Sequence, residues 1–563
     1  MAMVQYRRWH IVLAVLALLA AGAAEAVSAS AFFSERTTLG TRTFHLVPMS
    51  DGTRLATDVY VPDGEGPFPV ILVRSTYSRN QGMNRFIEMG CAVVIQDVRG
   101  MGDSEGEPHV FYYDGWRPGI TDGADTVAWI QEQPWCNGRI GTTGASALAM
   151  TQILVAPATE HIHAQYLQLS PSNYYFDVVY LGGVFRKNLV EGWLTALGQP
   201  QTIKIYRDIP RYNDFWRYYN TVEAADRITA PGMFVNGWYD IFGQGTIDGF
   251  VAREERGGPG ARGNNYLIMT WAPHGSDTTE DYVFNENRFD VRVSQLREKF
   301  FARHLLGDVH ALDGVPKVHY YVMGADTPGA PGNEWRTADG WPPVPLREVA
   351  FYLTGDGAMQ VSPPETGSAW REFNYDPENP YPTWGGANLL PNLVSGPYDQ
   401  RKYSETREDL LKFVSAPLEE PLEITGKVRV RLFVSSDAPD TDFTAKLLDI
   451  YPDGDGRELL MLDNIRRVKT RDGFERVAPP LEGHDDIVEI EVDLWSIAWV
   501  FNKGHRIGLH ISSSNYPRFD VNPNTGADHP QPGEVMRVAR NRVHTGDAYP
   551  SALILPVPEK EER

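Results

Sequence analysis

Three residues in the first half of the chain have the side-chain types that covalent acyl transfer requires. Ser146 follows Gly144-Ala145, and Asp240 and His274 follow it further along the chain. A serine hydroxyl becomes a good nucleophile when a neutral imidazole takes its proton, and a carboxylate must hold that imidazole in the correct tautomer. The three residue types therefore predict a nucleophile, an orienting acid and a general base.

Each of these residues comes directly after a segment that is typical of a buried strand. The predicted strands 139–143, 232–236 and 266–270 precede the serine, the acid and the histidine, and a predicted helix, 147–156, follows the serine. Further strands are predicted at 43–47, 55–61, 68–73, 91–97 and 163–169. Strands that alternate with helices indicate a mostly parallel sheet with chemistry at the carboxyl ends of its strands. The chain order serine, acid, histidine is that of α/β-hydrolases.

The turn at Ser146 is an incomplete form of the usual nucleophile pattern. In G-x-S-x-G a sharp strand-to-helix turn exposes the serine, but Leu148 replaces the second glycine here. A serine that only caps the helix is the alternative interpretation. If Ser146 is the nucleophile, the backbone N–H of Ala147 is expected to bind the oxyanion of the tetrahedral intermediate.

Four further stretches carry recognisable motifs. They are R-S-T-Y at 74–77, D-V-R-G-M-G-D-S-E-G at 97–106, P-W-C-N-G at 134–138 and F-A-R-H-L-L-G at 301–307. With the three residues above, they resemble the cocaine esterase / X-prolyl dipeptidyl-peptidase family of serine hydrolases, which includes α-amino-acid ester hydrolases and glutaryl acylases. The resemblance implies a triad of Ser146, Asp240 and His274, and an oxyanion hole that the Tyr77 hydroxyl completes. Relatives commonly have tyrosine and glycine where this chain has Ala147 and Ala149, which should change the shape of the pocket.

The segment 174–226, between two predicted strands, is rich in aromatic residues and has helical spacing. It predicts a small helical cap inserted in the first domain, and most of its aromatic rings are expected to pack within the cap. In relatives such a cap roofs the acyl pocket. Asp177 matches a carboxylate that α-amino-acid ester hydrolases use for a substrate ammonium. Asp177 and Trp238 are the candidate substrate-binding residues.

From about residue 345 the alternation with helices ends, and short strand-like segments follow. They are predicted at 349–353, 422–434, 442–450, 487–494, 506–512 and 552–557. Regularly spaced short strands favour a β-sandwich, and the resemblance implies a jelly-roll domain. The acidic stretch 452–456 lacks the calcium-loop spacing and predicts a hairpin turn. The predicted organisation is an α/β-hydrolase domain at 31–315 with the cap at 174–226, and a jelly-roll domain at 345–557.

The first residues are typical of an export signal. Arg7 and Arg8 precede an apolar run at 11–24, and Ala24-Glu25-Ala26 predicts cleavage after residue 26. Val27-Ser28-Ala29 is a second candidate cleavage site, and an uncleaved anchor is the alternative to cleavage. A signal peptide at 1–26 predicts a secreted or periplasmic protein without stable membrane insertion.

The charge of the chain argues against a nucleic-acid partner. The 563 residues include 52 Lys and Arg against 73 Asp and Glu, a net charge of −21, which would repel the phosphates of a nucleic acid. Cys91 and Cys136 are expected to be free thiols, and no zinc-ligand spacing is present. The predicted chemistry needs no cofactor and no metal.

The sequence therefore predicts a serine hydrolase that cleaves small acyl esters or amides, or a short peptide. An X-Pro dipeptidyl-peptidase is the alternative enzyme, and a non-catalytic secreted binding protein is the alternative of another class. The oligomeric state stays open.

Overall fold

The computed structural model describes residues 34–275, 279–364, 367–390 and 392–559. The predicted signal peptide, 1–26, lies outside the described residues. The strands of the first half are β1 Ser34–Thr37, β2 Gly40–Pro48, β3 Arg54–Pro62, β4 Phe68–Ser75, β5 Ala92–Asp97, β6 Cys136–Ala145, β7 Ile162–Gln168, β8 Tyr180–Leu181, β9 Val184–Phe185, β10 Gly232–Tyr239, β11 Tyr266–Pro273, β12 Val318–Gly324 and β13 Glu334–Ala338. The helices are α1 Asn84–Glu88, α2 Asp122–Gln131, α3 Ala147–Val155, α4 Lys187–Ala196, α5 Pro200–Asp208, α6 Asp214–Arg217, α7 Gly243–Arg256, α8 Val291–Ser294, α9 Leu296–His304 and α10 Arg401–Ser404.

The first sheet has the order β1-β2-β3-β5-β4-β6-β7-β10-β11-β12-β13, and its strands from β5 to β12 are parallel. Alternate residues of β4 enter two different buried clusters, Ile71 and Val73 in one and Val70 and Leu72 in the other. Both faces of the sheet are therefore covered, which explains the continuous apolar runs of the central strands. The predicted α/β fold is confirmed.

The segment that follows β7 holds a π-helical turn, Tyr174–Val179, then the β8–β9 hairpin and helices α4, α5 and α6. Its aromatic rings pack mainly against one another. The ring of the fully buried Trp216 lies 5.3 Å from those of Tyr175 and Tyr206. The cap aromatics also join the large buried cluster that includes Ile71 and Val73 of β4, so the cap packs onto the first domain.

The second half is a β-sandwich. Its strands are β14 Leu346–Leu353, β15 Ala358–Gln360, β16 Ser368–Tyr375, β17 Leu411–Ser415, β18 Leu422–Ser436, β19 Asp442–Ile450, β20 Glu458–Arg467, β21 Val488–Phe501, β22 Arg506–Ser512, β23 Ala539–Gly546 and β24 Ala552–Pro558. One layer contains β16-β23-β18-β21, and the other contains β20-β19-β22-β17-β15. β21 also pairs with the end of β12, where Met323 lies opposite Trp499. The sheet of the first half is therefore joined directly to the β-sandwich.

The acidic stretch 452–456 lies in the connection between the antiparallel strands β19 and β20. There Arg457 pairs with Asp455 at 2.8 Å and with Asp326 at 3.0 Å, which neutralises part of the acidic charge. Cys91 is buried, Cys136 is half-buried, and both are free thiols. Within the described part of the chain, no helix combines the length and the apolar character that a membrane crossing needs.

Candidate active site

Ser146 occupies a strained turn between β6 and α3. Its backbone has φ 58° and ψ −118°, which a residue with a side chain rarely adopts. Gly144 makes the turn possible, because a Cβ at that position would lie 2.6 Å from the Cβ of Leu148. The N–H of Ser146 donates to the carbonyl of Gln168 at 3.0 Å, which ties the turn to the end of β7. The strain is therefore held by backbone contacts and lifts the hydroxyl above the sheet edge.

The structure brings Ser146, His274 and Asp240 together in one hydrogen-bonded chain. Nε2 of His274 lies 2.8 Å from Oγ of Ser146, and Nδ1 lies 2.6 Å from Oδ2 of Asp240. Because a carboxylate only accepts hydrogen bonds, Nδ1 carries the ring proton and Nε2 accepts from the serine hydroxyl. Asp240 is fully buried, and its Oδ1 accepts from the N–H of Phe242 at 2.7 Å. This arrangement allows proton transfer from the serine to the histidine.

Two hydrogen-bond donors line the same cavity as Ser146. Ala147 is the first residue of α3, so its N–H has no acceptor within the helix, and the helix N-terminus favours negative charge. Tyr77 follows β4, and its backbone N–H donates to Oγ of Ser75 at 3.1 Å. Burial raises the pKa of the Tyr77 hydroxyl above its ordinary value, so the hydroxyl keeps its proton at neutral pH. Both groups can donate to an oxyanion that forms beside Ser146.

The cavity beside Ser146 is small, with a volume of about 30 Å³. Its apolar wall comes from three parts of the chain, namely Met150 and Ile241 of the first domain, Val178, Leu189 and Val190 of the cap, and Leu389 of the second half. Such a wall suits an apolar group.

The structure does not bring Asp177 into this cavity. Its Oδ2 accepts from the N–H groups of Ser172 and Asn173, both at 2.8 Å, and burial raises the pKa of this carboxyl to about 7. The carboxylate lines a separate, larger cavity between the cap and the second half. Asp177 and Val178 are neighbours on the π-helical turn, so one segment faces both cavities.

Trp238 also lies away from the cavity that Ser146 lines. It is 3% exposed, its Nε1 donates to the carbonyl of Tyr321 at 2.7 Å, and its ring lies 5.9 Å from that of Trp341. Trp238 therefore packs beneath the sheet edge, and this position does not place it in contact with a substrate in the Ser146 cavity.

The loop 97–106 is held by two arginines. Arg99 bonds to Asp122 and Asp51, each at 2.6 Å, and Arg79 bonds to Asp103 at 2.6 Å and also contacts Asp97. These ion pairs fix the loop beside β4 and β5.

Sequence reasoning missed several residues of the cavity, chief among them Trp193 and Leu389. Trp193 was only one of many aromatic residues predicted to pack the cap, yet its Nε1 donates to the Tyr77 hydroxyl at 3.1 Å. Leu389 lies in a connection of the second half, more than 200 residues from Ser146 along the chain. A local pattern carries no signal for contacts between such distant segments.

A parallel sheet with a serine on a strained strand-to-helix turn, and a histidine and an acid beyond neighbouring strands, defines the α/β-hydrolase class. Within the described ranges, no group of three or more His, Cys, Asp or Glu side chains is arranged to hold a metal ion.

Comparison with known proteins gives the family. The family model of the X-Pro dipeptidyl-peptidase (S15 family) matches residues 51–205 and 196–276, and that of the X-Pro dipeptidyl-peptidase C-terminal non-catalytic domain matches 310–554. Cocaine esterase of Rhodococcus sp. (strain MB1 Bresler) is 34% identical over an alignment of 587 positions that covers 91% of this chain and 97% of that protein. The chain therefore belongs to the cocaine esterase / X-prolyl dipeptidyl-peptidase family and is a serine hydrolase.

Two solved structures share the fold over almost the whole chain. An aminopeptidase from a marine sediment archaeon, Thaumarchaeota archaeon, has a TM-score of 0.77 at 22% identity and covers 96% of this chain and 100% of its own. An α-amino acid ester hydrolase has a TM-score of 0.73 at 23% identity and covers 96% of this chain and 99% of its own.

Proposed function

We propose that this protein hydrolyses esters or amides of small, uncharged acyl groups through a covalent acyl-enzyme on Ser146. The hydrogen-bonded chain from Ser146 through His274 to Asp240 carries the proposal. As Oγ attacks the substrate carbonyl, His274 takes the hydroxyl proton and then gives it to the leaving alcohol or amine. Asp240 keeps the imidazole oriented and stabilises its positive charge. Water then attacks the acyl-enzyme, with His274 as the base, and the acid leaves.

The oxyanion of each tetrahedral intermediate needs donors that are already in place. The Tyr77 hydroxyl and the Ala147 N–H supply them in this proposal, since both line the cavity of Ser146. Loss of one such donor in other serine hydrolases costs about 10²- to 10³-fold in kcat. Tyr77→Phe removes only the hydroxyl and is expected to fall in this range.

The nature of the cavity supports an uncharged acyl group. Its wall is formed by apolar side chains, and among the described residues that line it none is acidic or basic. A buried charge without a partner costs several kcal/mol, on the order of the whole binding energy of a small ligand. The name of the cocaine esterase relative also favours an ester.

An active-site probe tests the proposal directly. A fluorophosphonate should label the wild-type protein once, by mass spectrometry, and Ser146→Ala should stay unlabelled. Ser78→Ala, which changes an exposed serine near Tyr77, is the matched control and should be labelled like wild type. A wild-type protein that resists the probe as fully as Ser146→Ala would favour the non-catalytic binding protein.

The X-Pro dipeptidyl-peptidase alternative is favoured by the description of the matching family models. That activity requires a carboxylate for the free amine of the peptide, and the described cavity lining offers none. Rates with p-nitrophenyl butyrate, p-nitrophenyl hemisuccinate and Ala-Pro p-nitroanilide separate the possibilities. We expect the butyrate ester to react fastest of the three. If the anilide reacts faster than the butyrate, the X-Pro dipeptidyl-peptidase becomes the favoured function.

We also propose that the protein is exported. Arg7, Arg8 and the apolar run 11–24 ahead of Ala24-Glu25-Ala26 support this. Expression of the full chain in a bacterium, followed by fractionation and intact-mass analysis, should yield a periplasmic or secreted form that begins at residue 27. A full-length protein found only in the membrane fraction would favour the uncleaved anchor.

A further inference from the structure

The Tyr77 hydroxyl has a hydrogen-bond partner on the cap. Nε1 of Trp193 lies 3.1 Å from the Tyr77 hydroxyl oxygen. The indole N–H can only donate, so the Tyr77 oxygen accepts in this bond. The hydroxyl's own proton is therefore not used by Trp193 and stays available for another acceptor.

The segment that carries Tyr77 holds its backbone but not the far end of its ring. Its backbone is anchored by Oγ of Ser75, but the residue is 43% exposed. A half-exposed ring on a loop can rotate away from the cavity unless its far end is held. The bond from Trp193 is at that far end.

Trp193 is itself held firmly. It lies on α4, and its ring stacks on that of Phe111, with centroids 5.7 Å apart and planes at 13°. Phe111 is 1% exposed and also contacts the ring of Tyr174 at 5.6 Å. The indole N–H is thus presented to Tyr77 by a packed aromatic group that bridges the cap and the first domain.

We infer that Trp193 is a positioning residue for the oxyanion hole: its indole N–H fixes the Tyr77 hydroxyl with the phenolic proton directed toward the reacting carbonyl. This inference rests on the proposed function, because it assigns Tyr77 the role of oxyanion donor. A hydroxyl that accepts one hydrogen bond also becomes a stronger donor in the next one, since neighbouring bonds polarise each other. The cap therefore contributes to transition-state stabilisation through Trp193, in addition to roofing the cavity.

A double-mutant cycle tests the inference. Trp193→Phe keeps an aromatic ring against Phe111 but has no N–H. With p-nitrophenyl butyrate it should lower kcat about fivefold, the value of one hydrogen bond, with little change in KM. In a Tyr77→Phe background the same change should alter kcat less than twofold, because the hydroxyl that Trp193 positions is gone.

Val190→Ala is the matched control, because Val190 lies on the same helix and lines the same cavity without bonding to Tyr77. Its effect should fall mainly on KM and should persist in the Tyr77→Phe background. If Trp193→Phe behaves like this control, Trp193 is only a wall of the cavity and the inference is wrong.

A second variant covers the case in which Trp193→Phe unfolds. Phe111→Leu loosens the stacking beneath the indole but keeps its N–H, and it should lower kcat by a smaller factor that also disappears in the Tyr77→Phe background. If Phe111→Leu lowers kcat by the same factor in the Tyr77→Phe background, the inference is wrong. Fluorophosphonate labelling tests the proposed function separately from this inference. If wild-type protein is labelled at Ser146 but Trp193 and Tyr77 show no coupling, the inference is wrong and the proposed function stands.

Discussion

Gly237→Ala is expected to disable the site by separating the two strands that carry the acid and the histidine. Gly237 lies near the end of β10, where a Cβ would be 2.0 Å from the carbonyl oxygen of Ala272 and 2.8 Å from its nitrogen. Both obstacles are backbone atoms of β11, so no side-chain rotation can relieve the contact. Asp240 follows Gly237 by three residues, and His274 follows Ala272 by two.

The size of the effect follows from these distances. Since an ordinary contact between non-bonded heavy atoms needs about 3.5 Å, the strand ends must part by roughly 1 Å or more. The bond between His274 and Asp240 is now 2.6 Å, and the same displacement would take it beyond hydrogen-bonding range. A misplacement of about 1 Å costs roughly 10²-fold in rate, or about 2.7 kcal/mol in activation free energy.

The assay is kcat for p-nitrophenyl butyrate, measured well below the melting temperature of each variant, because overpacking also costs about 1–3 kcal/mol of stability. Gly275→Ala is the control: it lies beside His274, but a Cβ there meets none of the described atoms within 4 Å. We expect the control to keep nearly wild-type kcat. A folded Gly237→Ala protein with kcat within about threefold of wild type would refute the argument from strand separation.

Three further predictions concern a buried carboxyl, a buried thiol and a closely packed glycine. The folded-state pKa of Asp177, about 7, lies above its ordinary value of 3.8, so the native state retains a proton that the unfolded state releases and stability should fall as pH rises from about 4 to about 7. Asp177→Asn should flatten this slope in urea midpoints, and an unchanged slope would assign it to other groups. Burial raises the pKa of Cys91 to about 12, so Ellman's reagent at pH 8 should modify at most Cys136 in the native protein and both thiols in guanidinium; two reactive thiols in the native protein would contradict this. A Cβ at Gly182 would lie 1.8 Å from the carbonyl oxygen of Ile465, so Gly182→Ala should lose about 1–3 kcal/mol by urea unfolding. The control Gly198→Ala, which also has a positive φ but open space, should lose less, and equal losses would show that backbone strain alone is responsible.

The arrangement around Ser146 could be predicted because its determinants are local. Ser146, Asp240 and His274 each follow an apolar strand, and the carboxyl ends of neighbouring parallel strands meet at one edge. No knowledge of distant contacts is needed to place the three near one another. The distances of 2.8 Å and 2.6 Å, by contrast, depend on the strained turn and on the close approach of β10 to β11.

The second half was predicted less completely, because several of its strands do not have a simple apolar pattern. β20 is almost wholly buried but contains Asp463, which pairs with the buried Arg518 and accepts from Asn515 at 2.6 Å. Buried charges of this kind conceal a strand from any hydrophobicity pattern. β16 has alternating polar residues, and its partner β23 lies about 170 residues further along the chain, so its pairing has no local signal.

Trp238, one of the two candidate substrate-binding residues, shows where prediction from local pattern ends. Trp238 and Asp240 lie in one short segment, yet the register between β10 and β11 shifts between Gly237 and Tyr239, and Trp238 points to the carbonyl of Tyr321 while Asp240 bonds to His274. Such an irregularity reverses the side to which a residue points, because side chains alternate along a strand. The direction of a side chain next to a catalytic residue therefore depends on backbone contacts between strands. For the same reason the specificity of this hydrolase is better sought in Trp193 and Leu389, which tertiary contacts bring to Ser146, than in the sequence neighbours of the catalytic residues.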